Sequence, residues 1–274
     1  MSFIKRLPAH NDFLLSLSGF CLSLFLATHL VFDATILFGP SVFNNVPKML
    51  HSIYLAQIFT PVVVAGFFIH FCIAVRKIPV KSSELQRILK LSIQTRHRDT
   101  MLWLLQCITG LFLLLAGTLH FWIILTDGIK NINAVSSSNR AALPQFHVFY
   151  YIFMCTAILH SGIGMYRISI KWAGKGRKII FALMLIICTG YGIMSIMTIN
   201  RFNNRGEMQA VLKQRIIYIN SMIDNNTAVE SLNSELMDFH KIMDKLQLKV
   251  SPELFENLGI TYDEKLYLIL KKTE

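Results

Sequence analysis

Charge is scarce in this sequence. Asp, Glu, Lys and Arg together supply 16% of the 274 residues, while apolar residues supply 53%. An ordinary soluble domain carries roughly one quarter charged residues, and here the shortage is concentrated in long blocks with almost no charge at all, which excludes a soluble globular class. Clustered cysteine is lacking too. Cys21, Cys72, Cys107, Cys155 and Cys188 fall one to each apolar block, with no C-x-x-C pair. That pattern excludes a zinc ribbon or an iron-sulfur ligand set within the chain, and leaves the five as small core residues. The net charge of +11 has no basic face interleaved with aromatics behind it, so it is not a nucleic-acid footprint.

What is present is hydrocarbon length. About 20 apolar residues in a helix, rising about 1.5 Å each, cross a hydrocarbon layer of roughly 30 Å. Five runs reach that length, at residues 13–38, 51–75, 101–126, 144–166 and 179–199. The spacing predicts an all-α, five-helix transmembrane bundle. The first run is too long for the apolar core of a secretory signal, and no small-residue cleavage site follows it, so it is expected to stay in the mature chain.

Positive charge near span ends stays on the cytoplasmic side. Lys5 and Arg6 precede the first span. Arg76, Lys77, Lys81, Arg87, Lys90, Arg96 and Arg98 follow the second, and Arg167, Lys171, Lys175, Arg177 and Lys178 follow the fourth. The remaining two loops offer only Lys48, then Lys130 and Arg140. This asymmetry puts the N-terminus inside and the C-terminus outside. Trp103, Trp122 and Trp172 fall near span ends, as an aromatic belt would place them.

The informative residues are four histidines inside spans, His29, His70, His120 and His160. A polar ring in hydrocarbon is costly without a partner, so an ionisable residue there is a functional candidate by default. Counted along each helix, His70 and His160 lie roughly 10 Å from the inner edge, and His29 and His120 roughly 24 to 29 Å in. They sort into two pairs at two depths, each drawing on two helices. Bis-imidazole ligation of a haem upright in a bundle core requires that arrangement. Two irons about 15 Å apart along the membrane normal would carry electrons across much of the bilayer. Gly110 and Gly117 before His120, and Gly162 and Gly164 after His160, offer small surfaces for a macrocycle, though close helix packing explains such residues as well. The rival reading is four unrelated hydrogen-bonding histidines. His10, His97, His51, His147 and His240 read as solvated or interfacial, with His51 and His147 at the outer level where a proton-handling group would be needed.

Around these residues stand the strings THLVFDATILFG at His29, FFIHFCIAVRKIPV at His70, RHRDTMLWLLQCITG leading to AGTLHFW at His120, VSSSNR in an outer loop, and LHSGIGMYRISIKWAG at His160. Over roughly residues 10 to 200 the sequence resembles the dihaem cytochrome b membrane subunit of fumarate reductase and succinate dehydrogenase. The resemblance implies two haems b, one held by His70 and His160 on the inner side and one by His29 and His120 on the outer side. It also implies propionate contacts from Arg140 and Lys171. Implied partners are a flavoprotein with covalent FAD, an iron-sulfur subunit docked on the inner loops, membrane lipid, and a quinone, menaquinone in dihaem members of this type. The implied location is the bacterial inner membrane, and the implied assembly is a heterotrimer open to pairing as a dimer. The direction, fumarate reduction or succinate oxidation, is left open.

There are departures. Some dihaem members carry a glutamate two residues before the fourth-span ligand, associated with compensating proton movement; here that residue is Ile158. No Asp or Glu occurs between Phe43 and Thr60, where relatives place an acid near the outer quinone. Asp33, four residues after His29 and so on its helix face, is the lone carboxylate within a span and the candidate for quinol protons. Against that stands simple hydration near the interface. Residues 201–274 carry no span but show helical spacing at 207–223 and 236–248. They read as an outward helical extension to a five-span domain at 1–200. Alternatives to the resemblance are a dihaem cytochrome of hydrogenase or nitrate reductase type, and a carrier or structural membrane protein without haem. The first generally places two ligands on each of two helices, unlike the one ligand on each of four helices here.

Overall fold

The computed structural model of the chain describes residues 3–78, 82–95, 98–126, 132–173, 176–225 and 229–272. Lys81, Arg96, His97, Lys130 and Lys175 lie outside the described residues, as do the side chains of Lys5 and Arg6. The described residues are helical throughout, without a strand: α1 Phe3–Ala34, a 3-10 turn Thr35–Phe38, α2 Pro40–Ser52, α3 Leu55–Val75, α4 Ser82–Thr95, α5 Arg98–Thr126, α6 Ala134–Ala141, α7 Pro144–Ala173, α8 Arg177–Asp224, α9 Val229–Leu246, α10 Pro252–Leu258 and α11 Glu264–Lys272.

Five of these helices, α1, α3, α5, α7 and α8, are long and apolar enough to cross a membrane. Their large apolar side chains point outward. Leu115 is 73% exposed, Ile186 67% and Ile58 59%. An aqueous protein does not leave such faces bare, whereas lipid covers them and the helices satisfy their own backbone polar groups. The chain is a multi-pass membrane protein.

One expected boundary moves. The second span starts at Leu55, because Tyr54 adopts a left-handed conformation at φ 56°. A non-glycine residue in that region breaks helical continuation. His51 therefore lies in the last turn of the separate helix α2 and does not open the span.

The chain divides into two compact units. One comprises Met1–Ala34, Pro47–Ile129 and Tyr151–Ile196. Within it α1 packs along α3, and α5 packs on α3 and α4. Its basic flank is tied by Asp12 of α1, which accepts hydrogen bonds from Lys77 after α3 and from Lys171 of α7, the latter at 2.8 Å. Exposed pairs of this kind contribute only about 0–1 kcal/mol each.

The other unit comprises Thr35–Val46, Lys130–Tyr150 and Met197–Glu274. Its organiser is the second half of α8, whose residues Phe202, Arg205, Gln209, Leu212, Ile216 and Ile219 recur at three and four places and are all buried. That spacing keeps them on one stripe. The last three pack with Phe239 of α9, Phe255 of α10 and Leu270 of α11 into a single apolar core. Arg205 donates from Nη2 to the carbonyl of Leu246 at 2.7 Å, placing a cation at the C-terminus of α9, where the helix dipole favours one. Half-buried Arg215 reaches Glu235 and Asp238 of the same helix at 2.5 and 3.3 Å. α10 is bounded by Ser251, which accepts from the Leu254 N–H, and by Gly259 at φ 61°, the expected start and stop signals. A smaller cluster joins Ile36 and Phe43 to Ala134 and Phe202, with the Asn44 side chain accepting from the Ala134 N–H at 2.7 Å.

Gly206 is the tightest joint in this unit. A Cβ there would meet the Ser138 carbonyl oxygen and come within 2.6 Å of the Ala142 Cβ. Neither neighbour is a flexible side-chain end. Overpacking of this type costs about 1–3 kcal/mol, so Gly206→Ala is expected to loosen α6 from α8. Limited proteolysis of the membrane-embedded protein should cut the 197–274 segment faster than in the unaltered chain.

Candidate functional site

All four span histidines belong to the first unit, one each on α1, α3, α5 and α7. His29 and His120 face each other, their ring centres 6.3 Å apart and their planes at 59°. One metal ion between two imidazoles needs ring centres about 6 Å apart, given metal–nitrogen bonds of roughly 2 Å. Phe25 stacks on His29 at 5.5 Å, and Phe153 lies 5.4 Å from His120. These aromatic walls give the pair a flat, apolar lining. Asp33 Oδ2 sits 3.5 Å from His29 Nε2, one helical turn along the same face as the four-residue spacing requires.

His70 and His160 form the second pair and lie close enough to interact electrostatically. Each is held from a different helix in the same way. Ser18 Oγ of α1 is 2.9 Å from His70 Nδ1, and Thr109 Oγ1 of α5 is 3.0 Å from His160 Nδ1. A hydroxyl has one proton to give. Ser18 gives its proton to the Leu15 carbonyl at 3.2 Å, and Thr109 to the Leu105 carbonyl at 2.8 Å. With Nε2 of each imidazole on a metal its proton stands on Nδ1, and each hydroxyl oxygen, its own proton on a carbonyl, accepts from Nδ1–H. The Nδ1–H tautomer leaves the Nε2 lone pair for a metal. The adjoining glycines complete the seat: a Cβ on Gly19 would come within 3.1 Å of His70 Cε1, and one on Gly110 within 3.0 Å of His160 Cε1. Helix backbone and ring are therefore in direct contact.

These features fit haem iron at both levels. His29 and His120 have the separation a shared axial metal requires, and His70 and His160 each have a hydroxyl oxygen beside Nδ1. No group of three or more His, Cys, Asp or Glu suited to a bare metal ion occurs among the described residues, so two-imidazole sites are the coordination chemistry this unit offers.

The other expected residues fall as follows. Lys171 is held by Asp12 and lies 5.6 Å from the Trp172 ring centre. Arg140 is in the last turn of α6, in the second unit. Ile158 is buried, and its carbonyl faces Cys188 Sγ at 3.8 Å. Reading the sequence for chemistry missed Ser18, Thr109 and Asp12. The two hydroxyl residues had a signal: Ser18-Gly19 and Thr109-Gly110 each stand eleven and ten residues before the histidine of their own helix, His29 and His120.

Comparison with known proteins bears on the same region. The family described as the succinate dehydrogenase/fumarate reductase transmembrane subunit matches residues 81–193. The fumarate reductase cytochrome b subunit of Wolinella succinogenes is 31% identical over 176 residues, covering 61% of this chain and 68% of that one. The fumarate reductase cytochrome b subunit of Helicobacter pylori is 28% identical over 204 residues, covering 67% and 79%. With four paired span histidines, five membrane helices and these relatives, the chain belongs to the family of fumarate reductase cytochrome b subunits, the membrane anchors of that complex.

Proposed function

We propose that the chain holds two haems b, with His70 and His160 as axial ligands of one and His29 and His120 of the other. It passes electrons between a membrane quinone and the iron-sulfur subunit of a fumarate reductase or succinate dehydrogenase complex. The observations that carry this reading are the His29 and His120 rings facing each other with centres 6.3 Å apart, and the matched hydroxyl contacts of Ser18 and Thr109 to Nδ1 of His70 and His160. When bound, the haems supply reversible one-electron chemistry, and the residues of the chain determine where it happens. Ser18 and Thr109 orient the inner imidazoles. Phe25 and Phe153 exclude water from the outer pair. Lys171 at the inner flank and Arg140 in α6 supply positive charge for propionates.

The same reading assigns the remaining features. The partners are a flavoprotein that handles the dicarboxylate and an iron-sulfur subunit docked on the basic inner loops, in a heterotrimer that can pair as a dimer. The membrane is the bacterial inner membrane, with the N-terminus inside and the C-terminus outside. The quinone is menaquinone, oxidised or reduced toward the outer face. There Asp33, 3.5 Å from His29, takes or gives the proton. Ile158 carries no titratable atom, so proton movement does not use that position. The residues from 201 onward form an outward-facing helical extension.

Substitution separates the two levels. His29→Ala and His70→Ala should each lose one haem b, and not the same one, as read from the reduced-minus-oxidised spectrum of the purified complex. Loss of neither overturns the assignment. Asp33→Asn should keep both haems and slow quinol oxidation with an altered pH profile; an unchanged rate and profile removes Asp33 from proton transfer. Gly110→Ala, whose new Cβ would press on His160 at 3.0 Å, should lower the occupancy of the inner haem alone.

A further inference from the structure

We infer that Ser18 and Thr109 are positioning residues that set the redox potential of the inner haem through the Nδ1–H of its two ligands; this rests on the ligand reading above. The two residues form a matched device. Each is a hydroxyl followed by a glycine, on α1 and on α5, eleven residues before the histidine of its own helix. Eleven residues are about three helical turns, so each hydroxyl shares a face with its own helix's outer histidine while bonding an inner histidine of another helix. The hydroxyl accepts from Nδ1 at 2.9 Å for His70 and 3.0 Å for His160. The following glycine lets the ring lie against the helix, with Cε1 3.1 and 3.0 Å from where a Cβ would be. An axial imidazole needs both a fixed tautomer and a fixed plane, and the dipeptide provides the two together.

The effect on the iron has a definite sign. A hydrogen bond accepted from Nδ1–H draws the proton away from the ring and makes Nε2 a stronger electron donor. Stronger donation favours ferric over ferrous iron and lowers the potential. Removing the acceptor raises it.

Ser18→Ala, Thr109→Val and the double variant test this in the complex purified from membranes, by potentiometric titration of the haem b bands. The inner haem is the one missing from His70→Ala. Its reduced-to-oxidised ratio at fixed potential should rise up to about tenfold in the double variant, or about 59 mV for one electron. The outer haem should stay unmoved. Ser18→Thr and Thr109→Ser, which keep the hydroxyl, should restore the original value. Two retained haems with an unmoved inner potential in the double variant would overturn the inference. If Ser18→Ala loses the inner haem altogether, retention of that haem in Ser18→Thr upholds the role of the hydroxyl and its loss in both overturns it. No haem lost in His70→Ala counts against the ligand assignment and not against Ser18 or Thr109.

Discussion

An imidazole inside hydrocarbon is costly without partners for its polar atoms, and the membrane unit brings such partners to its histidine rings from neighbouring helices. Leaving a polar group unpaired in a medium without water costs several kcal/mol. Four such rings are present, one on each of four helices, and each faces another ring or a hydroxyl from a neighbouring helix. Gly19 brings the α1 backbone against the His70 ring of α3, and Gly110 brings the α5 backbone against the His160 ring of α7. The outward faces carry no comparable constraint and are simply apolar.

The inner and outer pairs solve the same problem with different chemistry. Ser18 and Thr109 give the inner rings neutral acceptors with their own protons committed elsewhere. The outer pair has aromatic walls and one carboxylate, Asp33, near His29 Nε2. A neutral acceptor holds an imidazole in place without adding charge, which suits a group that only relays electrons. A carboxylate brings charge and a proton site, which suits the proton handling proposed for Asp33. The second unit shows no such histidine pairing among its described residues. It is a small apolar core built on the last turns of α8, with one buried arginine serving the end of α9.

Much of this was legible along the chain because the membrane penalises departures so heavily. Runs almost free of charge marked all five spans, and depth within each span gave the pairings on which the proposal rests, His29 with His120 and His70 with His160. The left-handed Tyr54 was not legible, since nothing local distinguishes it from a residue continuing the helix. Asp12 carries no local signal, because the two lysines that converge on it, Lys77 and Lys171, are distant in sequence. Residues 35–46 and 130–150 join the C-terminal segment through Asn44, Ser138 and Gly206, contacts that no periodicity encodes. Ser18 and Thr109 are common residues in membrane helices and drew no notice singly. Only their identical distance from His29 and His120 set them apart.

Haem stoichiometry tests the central claim most directly. Haem b quantified per copy of this chain in the purified complex, with a potentiometric titration on the same sample, should give two haems and two separable one-electron steps. One haem, or a single step accounting for all the absorbance of one haem per chain, would contradict the two-level arrangement of the four histidines.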